Sequence, residues 1–138
     1  MMNKNKFERV EDGNTYWTIA DDSEGSARAF PEEENYCVAD DKYFNNNNYF
    51  HSEELAKEVA RKINFLLKLE RLHDVFCPDY IPDWNDNSLK YCIRYNSEIN
   101  IYTSGFYVSY SAETDVYFPS QEIAQQVTDI LNREMMEK

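Results

Sequence analysis

The sequence predicts an α+β protein in which antiparallel strands pack with two amphipathic helices, built from two degenerate strand–helix repeats. The main observation is an internal repeat: residues 49–59 (YFHSEELAKEV) align without gaps on residues 117–127 (YFPSQEIAQQV), with six of eleven positions identical. In each copy an aromatic strand end leads into a serine that can cap a helix. Composition agrees, because 11 Tyr favour strands, while only 3 Gly and 4 Pro argue against a turn-dense sandwich.

In the first copy, residues 16–19 (YWTI) predict a strand, and residues 36–38 and 42–44 are interpreted as its continuation. The asparagine run at 45–48 predicts a turn, since Asn tolerates the left-handed backbone conformation. A helix is predicted over residues 52–73, because apolar side chains recur there at helical spacing, namely Leu55, Val59, Ile63 and Leu66.

The second copy follows a linker, residues 77–89, that is rich in Pro, Asp and Asn and is expected to be anchored by Trp84. A Tyr-rich meander is then predicted, with strands at 91–95, 99–103 and 106–110 and turns at 96–97 and 104–105. A short strand at 116–118 leads into a helix at 120–136. The predicted organisation is a first unit (1–76) with an acidic N-terminal segment, the linker (77–89), and the meander with its C-terminal helix (90–138), together forming one compact domain.

Charge is the most unusual property of the chain, which carries a net −12 from 26 acidic and 14 basic side chains. A nucleic-acid binder needs a basic stripe, so direct binding to DNA, RNA or an anionic membrane is not expected. Between residues 11 and 54 there are 12 acidic residues and 2 basic ones. The acidic residues of this stretch form either a solvated face or a surface that docks onto a basic groove of another protein. The candidate partner-binding residues are Asp21, Asp22, Glu24, Glu32, Glu33, Glu34, Asp40 and Asp41.

Cysteine usage points to a reducing compartment. Cys37, Cys77 and Cys92 are an odd number at irregular spacing, and residues 1–10 are polar rather than an apolar signal. No run approaches the length of a transmembrane helix. Free thiols in the cytosol are therefore expected.

No metal, cofactor or catalytic residue is predicted. His73 and Cys77 stand four residues apart and could join Cys37 and Cys92 in a zinc site, but no Cys-x-x-Cys or His-x-x-x-His pair exists. Buried free thiols are the simpler interpretation. A nucleophilic Cys with His51 or His73 as its base lacks any sign of an oxyanion nest.

A calcium loop is a second metal candidate that the sequence argues against. Residues 83–87 (DWNDN) match the start of such a loop, whose sixth position should be Gly and whose twelfth should be Glu. Ser88 and Arg94 occupy those two positions, so the match fails where it matters.

Three segments carry a resemblance to known proteins: NYFHSEELA at 48–56, WND at 84–86 leading into KYCIRY at 90–95, and VYFPSQEIA at 116–124. Together they resemble a group of small acidic phage and prophage proteins with two strand–helix repeats, over about residues 16–136. Asn47 stands where that group has Gly, and Ser52 where it has Thr. The resemblance implies fold and phage origin. Small acidic phage proteins include anti-CRISPR proteins that mimic DNA, which implies a setting but no site residue.

The hypothesis is therefore a phage-encoded, non-catalytic inhibitor that binds a host defence effector, in first place a CRISPR–Cas nuclease, through an acidic surface that mimics nucleic acid. The expected partner is a protein with a basic nucleic-acid-binding groove, in the cytoplasm of the bacterial host, and a homodimer stays open. The alternative is a structural or regulatory phage protein that acts through protein–protein assembly by its Tyr-rich sheet. An enzyme ranks below both.

Overall fold

The computed structural model describes residues 8–108 and 115–137, and over these ranges it confirms the α+β prediction. Three helices and two antiparallel two-stranded sheets are present in this part of the chain. In chain order the elements are β1 (Thr15–Asp21), β2 (Ala27–Glu33), α1 (Val38–Asn45), α2 (Glu53–Phe76), β3 (Lys90–Asn96), β4 (Ile101–Tyr107) and α3 (Gln121–Met136). No helix among them is both long and apolar enough to cross a membrane.

The chain divides into two compact units, Met1–Phe65 and Leu66–Lys138. The first unit contains the β1–β2 hairpin, α1 and the first half of α2, whereas the second contains the rest of α2, the β3–β4 hairpin and α3. The sequence placed the end of the first unit at residue 76; the division lies within α2, whose later turns bury Leu69 and Leu72.

Each unit is a hairpin whose first strand is bridged to an aromatic residue ahead of a helix. In the first unit, Trp17 and Phe50 exchange both backbone hydrogen bonds, each at 2.8 Å. In the second, Tyr91 and Phe118 do the same at 3.0 and 2.7 Å. Phe50 and Phe118 are equivalent positions of the sequence repeat, so the repeat is a structural unit.

Serine caps start both repeated helices, as predicted. The Ser52 hydroxyl accepts a hydrogen bond from the Leu55 N–H at 3.2 Å, and the Ser120 hydroxyl accepts one from the Ile123 N–H at 3.2 Å. Each bond satisfies a backbone donor that the first helical turn leaves without an intrahelical partner.

An asparagine on each helix completes the unit by clasping the backbone of the second strand. The Asn64 amide pairs with the N–H and C=O of Ala27, both at 3.0 Å, and the Asn132 amide pairs with those of Tyr102 at 2.7 and 3.0 Å. Positions 64 and 132 stand 68 apart, the same offset as the repeat. The two contacts also have the same register. Ala27 lies opposite Asp21, four residues after Trp17, and Tyr102 lies opposite Tyr95, four residues after Tyr91. The repeat therefore extends past the segment that the sequence alignment shows.

The predicted strands of the first unit need two corrections. Residues 36–38 and 42–44 were expected as strand, but Val38–Asn45 form the helix α1, because Cys37 and Asp40 form a capping box at its start. The strand β2 (Ala27–Glu33) was not predicted, since its sequence ARAFPEE contains proline and three charges. Pro31 is tolerated opposite Trp17, whose own N–H bonds Phe50 rather than β2. The asparagine turn is confirmed, with Asn47 in the left-handed conformation at φ 62°.

The predicted meander of the second unit is partly wrong. The turn predicted at residues 104–105 does not form, because Ser104 and Gly105 lie inside the continuous strand β4, opposite Ile93 and Cys92. The strand predicted for residues 106–110 runs beyond β4, and Tyr110 lies outside the described residues. The expected turn after β3 is confirmed, and the linker at 77–89 has no helix or strand.

Candidate acidic binding surface

The eight acidic residues singled out by the sequence fall into two classes. Four are held by contacts within the first unit: Asp22, Glu34, Asp40 and Asp41. The other four are more open, with Asp21, Glu24 and Glu33 exposed and Glu32 half-buried.

Asp22 organises the turn between β1 and β2. Its carboxylate accepts hydrogen bonds from the backbone N–H groups of Ser26 and Glu24, each at 2.9 Å. These bonds, led by the one from Ser26, lower the pKa of Asp22 below its ordinary value. Arg28 adds a longer ion pair at 3.7 Å, so this end of the hairpin is partly neutralised.

Glu34 is not a surface residue, because its side chain is fully buried. Arg9 approaches both carboxylate oxygens, with Nη2 at 2.6 Å and Nε at 3.1 Å, and the Tyr49 hydroxyl donates at 2.8 Å. Arg9 is the main reason that the pKa of Glu34 is lowered. The pKa of Tyr49 rises to about 12, through burial first and then through its bond to Glu34.

Asp40 is buried as well. Its carboxylate accepts hydrogen bonds from the Tyr16 hydroxyl, from the backbone N–H of Asn35 at 2.9 Å, and from the N–H and Sγ of Cys37 at 3.3 and 3.2 Å. The bond from Tyr16 is the main cause that holds the pKa of Asp40 far below its usual range. Asp40 is therefore a structural carboxylate that joins β1 to the start of α1.

Asp41 remains half-exposed but is paired, since Arg9 Nη1 lies 2.5 Å from its Oδ1. With Glu34 and Asp40 buried and Asp41 neutralised, the acidic segment after β2 offers little free charge to a partner. Burial and pairing could not be inferred from a run of carboxylates.

Besides Asp21 and Glu24 at the turn end of the β1–β2 hairpin, open carboxylates lie at its other end, where Glu32 and Glu33 are joined by two residues that the sequence did not single out. Glu11 and Asp12 are exposed in the turn before β1, and the Gly13 N–H bonds the Glu34 carbonyl at 2.8 Å, which brings this turn beside the end of β2. We define Glu11, Asp12, Glu32 and Glu33 as the hairpin-end acidic surface. Within residues 8–108 and 115–137, none of the four forms an ion pair.

The three thiols lie apart from any metal-ligand cluster in the described ranges, where no three His, Cys, Asp or Glu side chains lie together as possible metal ligands. Cys37 is exposed, whereas Cys77 and Cys92 are buried. Burial raises the pKa of both buried thiols, which keeps them protonated at neutral pH. This argues against Cys77 or Cys92 as a nucleophile paired with His73.

The linker segment at 83–88 uses its carboxylates on its own chain. Asp86 accepts hydrogen bonds from the Ser88 hydroxyl at 2.5 Å and from the Ser88 N–H and Lys90 Nζ, both at 2.9 Å. Its pKa falls to about 2, mainly through the Ser88 hydroxyl and then through Lys90. Lys90 is fully buried and lies 5.2 Å from the Trp84 ring centroid, which in turn lies 4.9 Å from that of Tyr117. Trp84 therefore anchors the linker, and the Asp86 carboxylate is paired with Lys90.

No protein-family model, curated protein or solved structure matches the chain. The resemblance to phage and prophage proteins therefore stays a prediction.

Proposed function

We propose that the protein is a non-catalytic binding protein whose hairpin-end acidic surface docks onto a basic, nucleic-acid-binding groove of another protein. The observation that supports this is a set of four carboxylates at the open end of the β1–β2 hairpin that form no ion pair within the described residues, next to Glu34 and Asp41, which Arg9 pairs. Asp21 and Glu24 are exposed at the other end of the hairpin, around its turn. Uncompensated like charges destabilise a fold through self-repulsion, so their concentration at one place favours a role in recognition.

The partner class follows from the charge and from the resemblance of the sequence to phage proteins. We propose a phage-encoded inhibitor that acts in the cytoplasm of a bacterial host on a defence effector, with a CRISPR–Cas nuclease as the first candidate. Such an effector binds nucleic acid in a positively charged channel. Carboxylates that enter the channel would occupy the space of phosphates, and long-range attraction would raise the association rate.

Charge reversal of the hairpin-end acidic surface is expected to weaken partner binding at least tenfold. The variant combines Glu11→Lys, Asp12→Lys and Glu33→Lys, at three exposed positions. Three charge–charge contacts of about 0.5–1 kcal/mol each sum to about 1.5–3 kcal/mol at low salt, which is more than the roughly 1.4 kcal/mol that a tenfold change in affinity requires. The measurement is biolayer interferometry against an effector captured from host lysate and identified by mass spectrometry, with double-stranded DNA as a competitor.

The control reverses three exposed acidic residues of the second unit, Glu70, Asp79 and Glu137, and so changes the net charge equally. This control should retain binding, and both variants should melt close to the parent. Glu34 is excluded from the set, because reversal of a buried, paired carboxylate would unfold the unit. Equal losses in both variants, or binding that DNA does not compete, would rule out a localised nucleic-acid mimic.

A second candidate function, assembly with a second copy of the chain, is favoured by the edge of β4. In the first hairpin, Pro31 stands opposite the bridging Trp17 and blocks pairing along the outer edge of β2. At the equivalent position of the second hairpin, opposite Tyr91, stands Phe106, whose side chain is 59% exposed. Ile99 and Ile101 are exposed on the same hairpin.

Self-association through β4 predicts a mass that rises from monomer to dimer with concentration in sedimentation velocity. Phe106→Pro removes the N–H and the apolar ring from the edge, so this variant should stay monomeric at every concentration. The control is Ile81→Ala, which removes an exposed apolar side chain outside the hairpin, where 84% of the residue surface is exposed. This variant should associate like the parent. A parent protein that is monomeric throughout would exclude this function.

A further inference from the structure

Arg9 occupies a cage whose geometry matches a guanidinium group. Its Nη2 and Nε contact the two carboxylate oxygens of Glu34 at 2.6 and 3.1 Å, and its Nη1 contacts Asp41 at 2.5 Å. Three donors of one planar fork are thus satisfied by two carboxylates. An ammonium group, being a compact point charge, cannot reproduce this two-sided contact.

Aromatic rings form the remaining walls of the cage. The guanidinium carbon of Arg9 lies 4.4 Å from the ring centroid of Tyr36 and 5.8 Å from that of Phe44. A planar cation is attracted to the face of such rings, and Arg uses this contact more often than Lys. Carboxylates and rings together therefore select guanidinium over ammonium.

The walls are held in place by residues other than Arg9. The Glu34 carboxylate also accepts hydrogen bonds from the Tyr49 hydroxyl and the Tyr36 N–H, both at 2.8 Å. Tyr49 is stacked on the buried Tyr16 ring at 4.1 Å. Because these contacts involve none of residues 8–10, they remain when Arg9 leaves and keep the Glu34 carboxylate in place for an occupant.

The segment that delivers Arg9 is attached by side chains rather than by a strand ladder. The Val10 N–H donates to the Tyr49 hydroxyl and the Tyr36 hydroxyl donates to the Val10 carbonyl, both at 2.8 Å. A ring nitrogen of His51 lies 2.7 Å from the Glu8 carbonyl oxygen. Residues 8–10 can therefore leave without breaking the pairing of β1 and β2. The Arg9 side chain also keeps 20% of its surface exposed, which gives a second guanidinium a route of entry.

We propose that Glu34, Asp41 and Tyr36 form a guanidinium-binding site, filled by Arg9 in the free protein, that accepts an arginine side chain of another protein when Arg9 leaves. The site lies next to the backbone that carries the hairpin-end acidic surface, because the Gly13 N–H of the Glu11–Asp12 turn bonds the Glu34 carbonyl at 2.8 Å. An arginine from a basic groove would meet the exposed carboxylates first and the cage second. The source of that arginine rests on the proposed function, whereas the selectivity of the cage does not.

The experiment uses fluorescein-labelled Gly-Arg-Gly amide and its Gly-Lys-Gly counterpart as probes in fluorescence anisotropy with the whole chain. Arg9→Ala should bind the arginine probe at least tenfold more tightly than the parent, because no internal guanidinium competes. The lysine probe should bind both proteins equally weakly. Adding Glu34→Gln to Arg9→Ala should abolish the preference for arginine.

Arg9→Ala leaves a buried carboxylate unpaired, so a second variant protects the test against unfolding. Arg9→Lys keeps a positive charge near Glu34 and can satisfy only one carboxylate contact at a time, so its affinity for the arginine probe should lie between those of the parent and Arg9→Ala. Equal affinity of either variant for the two probes would overturn the guanidinium site. If the arginine probe bound the variants saturably but did not bind the parent even at millimolar concentration, Arg9 would never leave the cage. This result would overturn the proposed exchange of Arg9 for another arginine. Neither result depends on the partner, so failure of the proposed function is seen separately.

Discussion

Replacing Phe118 by alanine is expected to lower the free energy of unfolding by about 3–5 kcal/mol, the usual cost of removing a fully buried aromatic ring. Phe118 has no exposed surface, and its ring lies 5.8 Å from that of His73 on α2. Its backbone pair with Tyr91 would remain, so the loss reports on ring packing rather than on the bridge. Urea denaturation followed by circular dichroism measures the change.

The sequence repeat provides the matched control for this substitution. Phe50 is the equivalent residue in the first unit and makes the same backbone bridge, but it is only half-buried. Phe50→Ala should therefore cost clearly less, about 1–2 kcal/mol, in proportion to the apolar area that it keeps from water. Phe106→Ala, with 59% of its surface exposed, should cost less still. If all three variants lost the same stability, the burial of Phe118 would be wrong.

The two repeated helices were predictable because their information is local. A serine cap, acidic or amide residues in the first turn and an apolar stripe at helical spacing lie within one continuous segment, both at Ser52 and at Ser120. The helices begin at Glu53 and Gln121, one residue after the predicted starts. The clasp by Asn64 and Asn132 was missed, because it depends on contacts with strands 30 or more residues earlier in the chain.

The secondary structure of α1 and β2 was predicted wrongly, because tertiary contacts override the local preference of their sequences. α1 contains Val, Tyr and Phe, which favour strands, and its helix is fixed by Asp40, which accepts a hydrogen bond from Tyr16 of β1. β2 contains Pro31 and reads poorly as a strand, yet β1 offers it a complete partner. In both cases the decisive partner is distant in sequence.

For the candidate site too, the sequence gives the local property, which is charge, but not the contacts between distant residues. The sequence shows an acidic first third, but it cannot distinguish a carboxylate on the surface from one that is buried with a partner. Glu34 and Asp40 are buried because Arg9 and Tyr16 are placed beside them by folding, 25 and 24 residues away in the chain. Glu11 and Asp12 became candidates only once the backbone bond from Gly13 to Glu34 placed their turn beside the end of β2.

Asp40→Ala is the second large effect we expect, a loss on the order of 3 kcal/mol at pH 7. The substitution removes the acceptor for the N–H groups of Asn35 and Cys37 and for the Tyr16 hydroxyl. A lost helix cap costs about 1 kcal/mol, and each buried donor without a partner costs about 1–3 kcal/mol, partly offset by water that enters. Asp21→Ala, at an exposed position on β1, is the control and should change stability little.

Asp40→Asn separates the charge of this carboxylate from its hydrogen bonds, because the amide keeps an oxygen for the backbone N–H groups and can donate to the Tyr16 hydroxyl. The folded-state pKa of Asp40 lies below the value of about 3.9 that an unfolded chain gives, chiefly because Tyr16 donates to it. A lowered pKa means that the charge stabilises the fold fully above pH 4 and progressively less as the pH falls toward the folded-state pKa.

At pH 7 we therefore expect Asp40→Asn to be less stable than the parent by about 1–2 kcal/mol, the usual excess of a hydrogen bond to a charged group. Between pH 4 and pH 2 the difference should shrink, since Asp40 takes up a proton in the unfolded parent, which favours unfolding, whereas the asparagine of the variant cannot. Denaturation curves at half-unit steps of pH, with Asp21→Asn expected to follow the parent, would measure the convergence. A difference that stays constant down to pH 2 would show that the charge of Asp40 does not stabilise the fold.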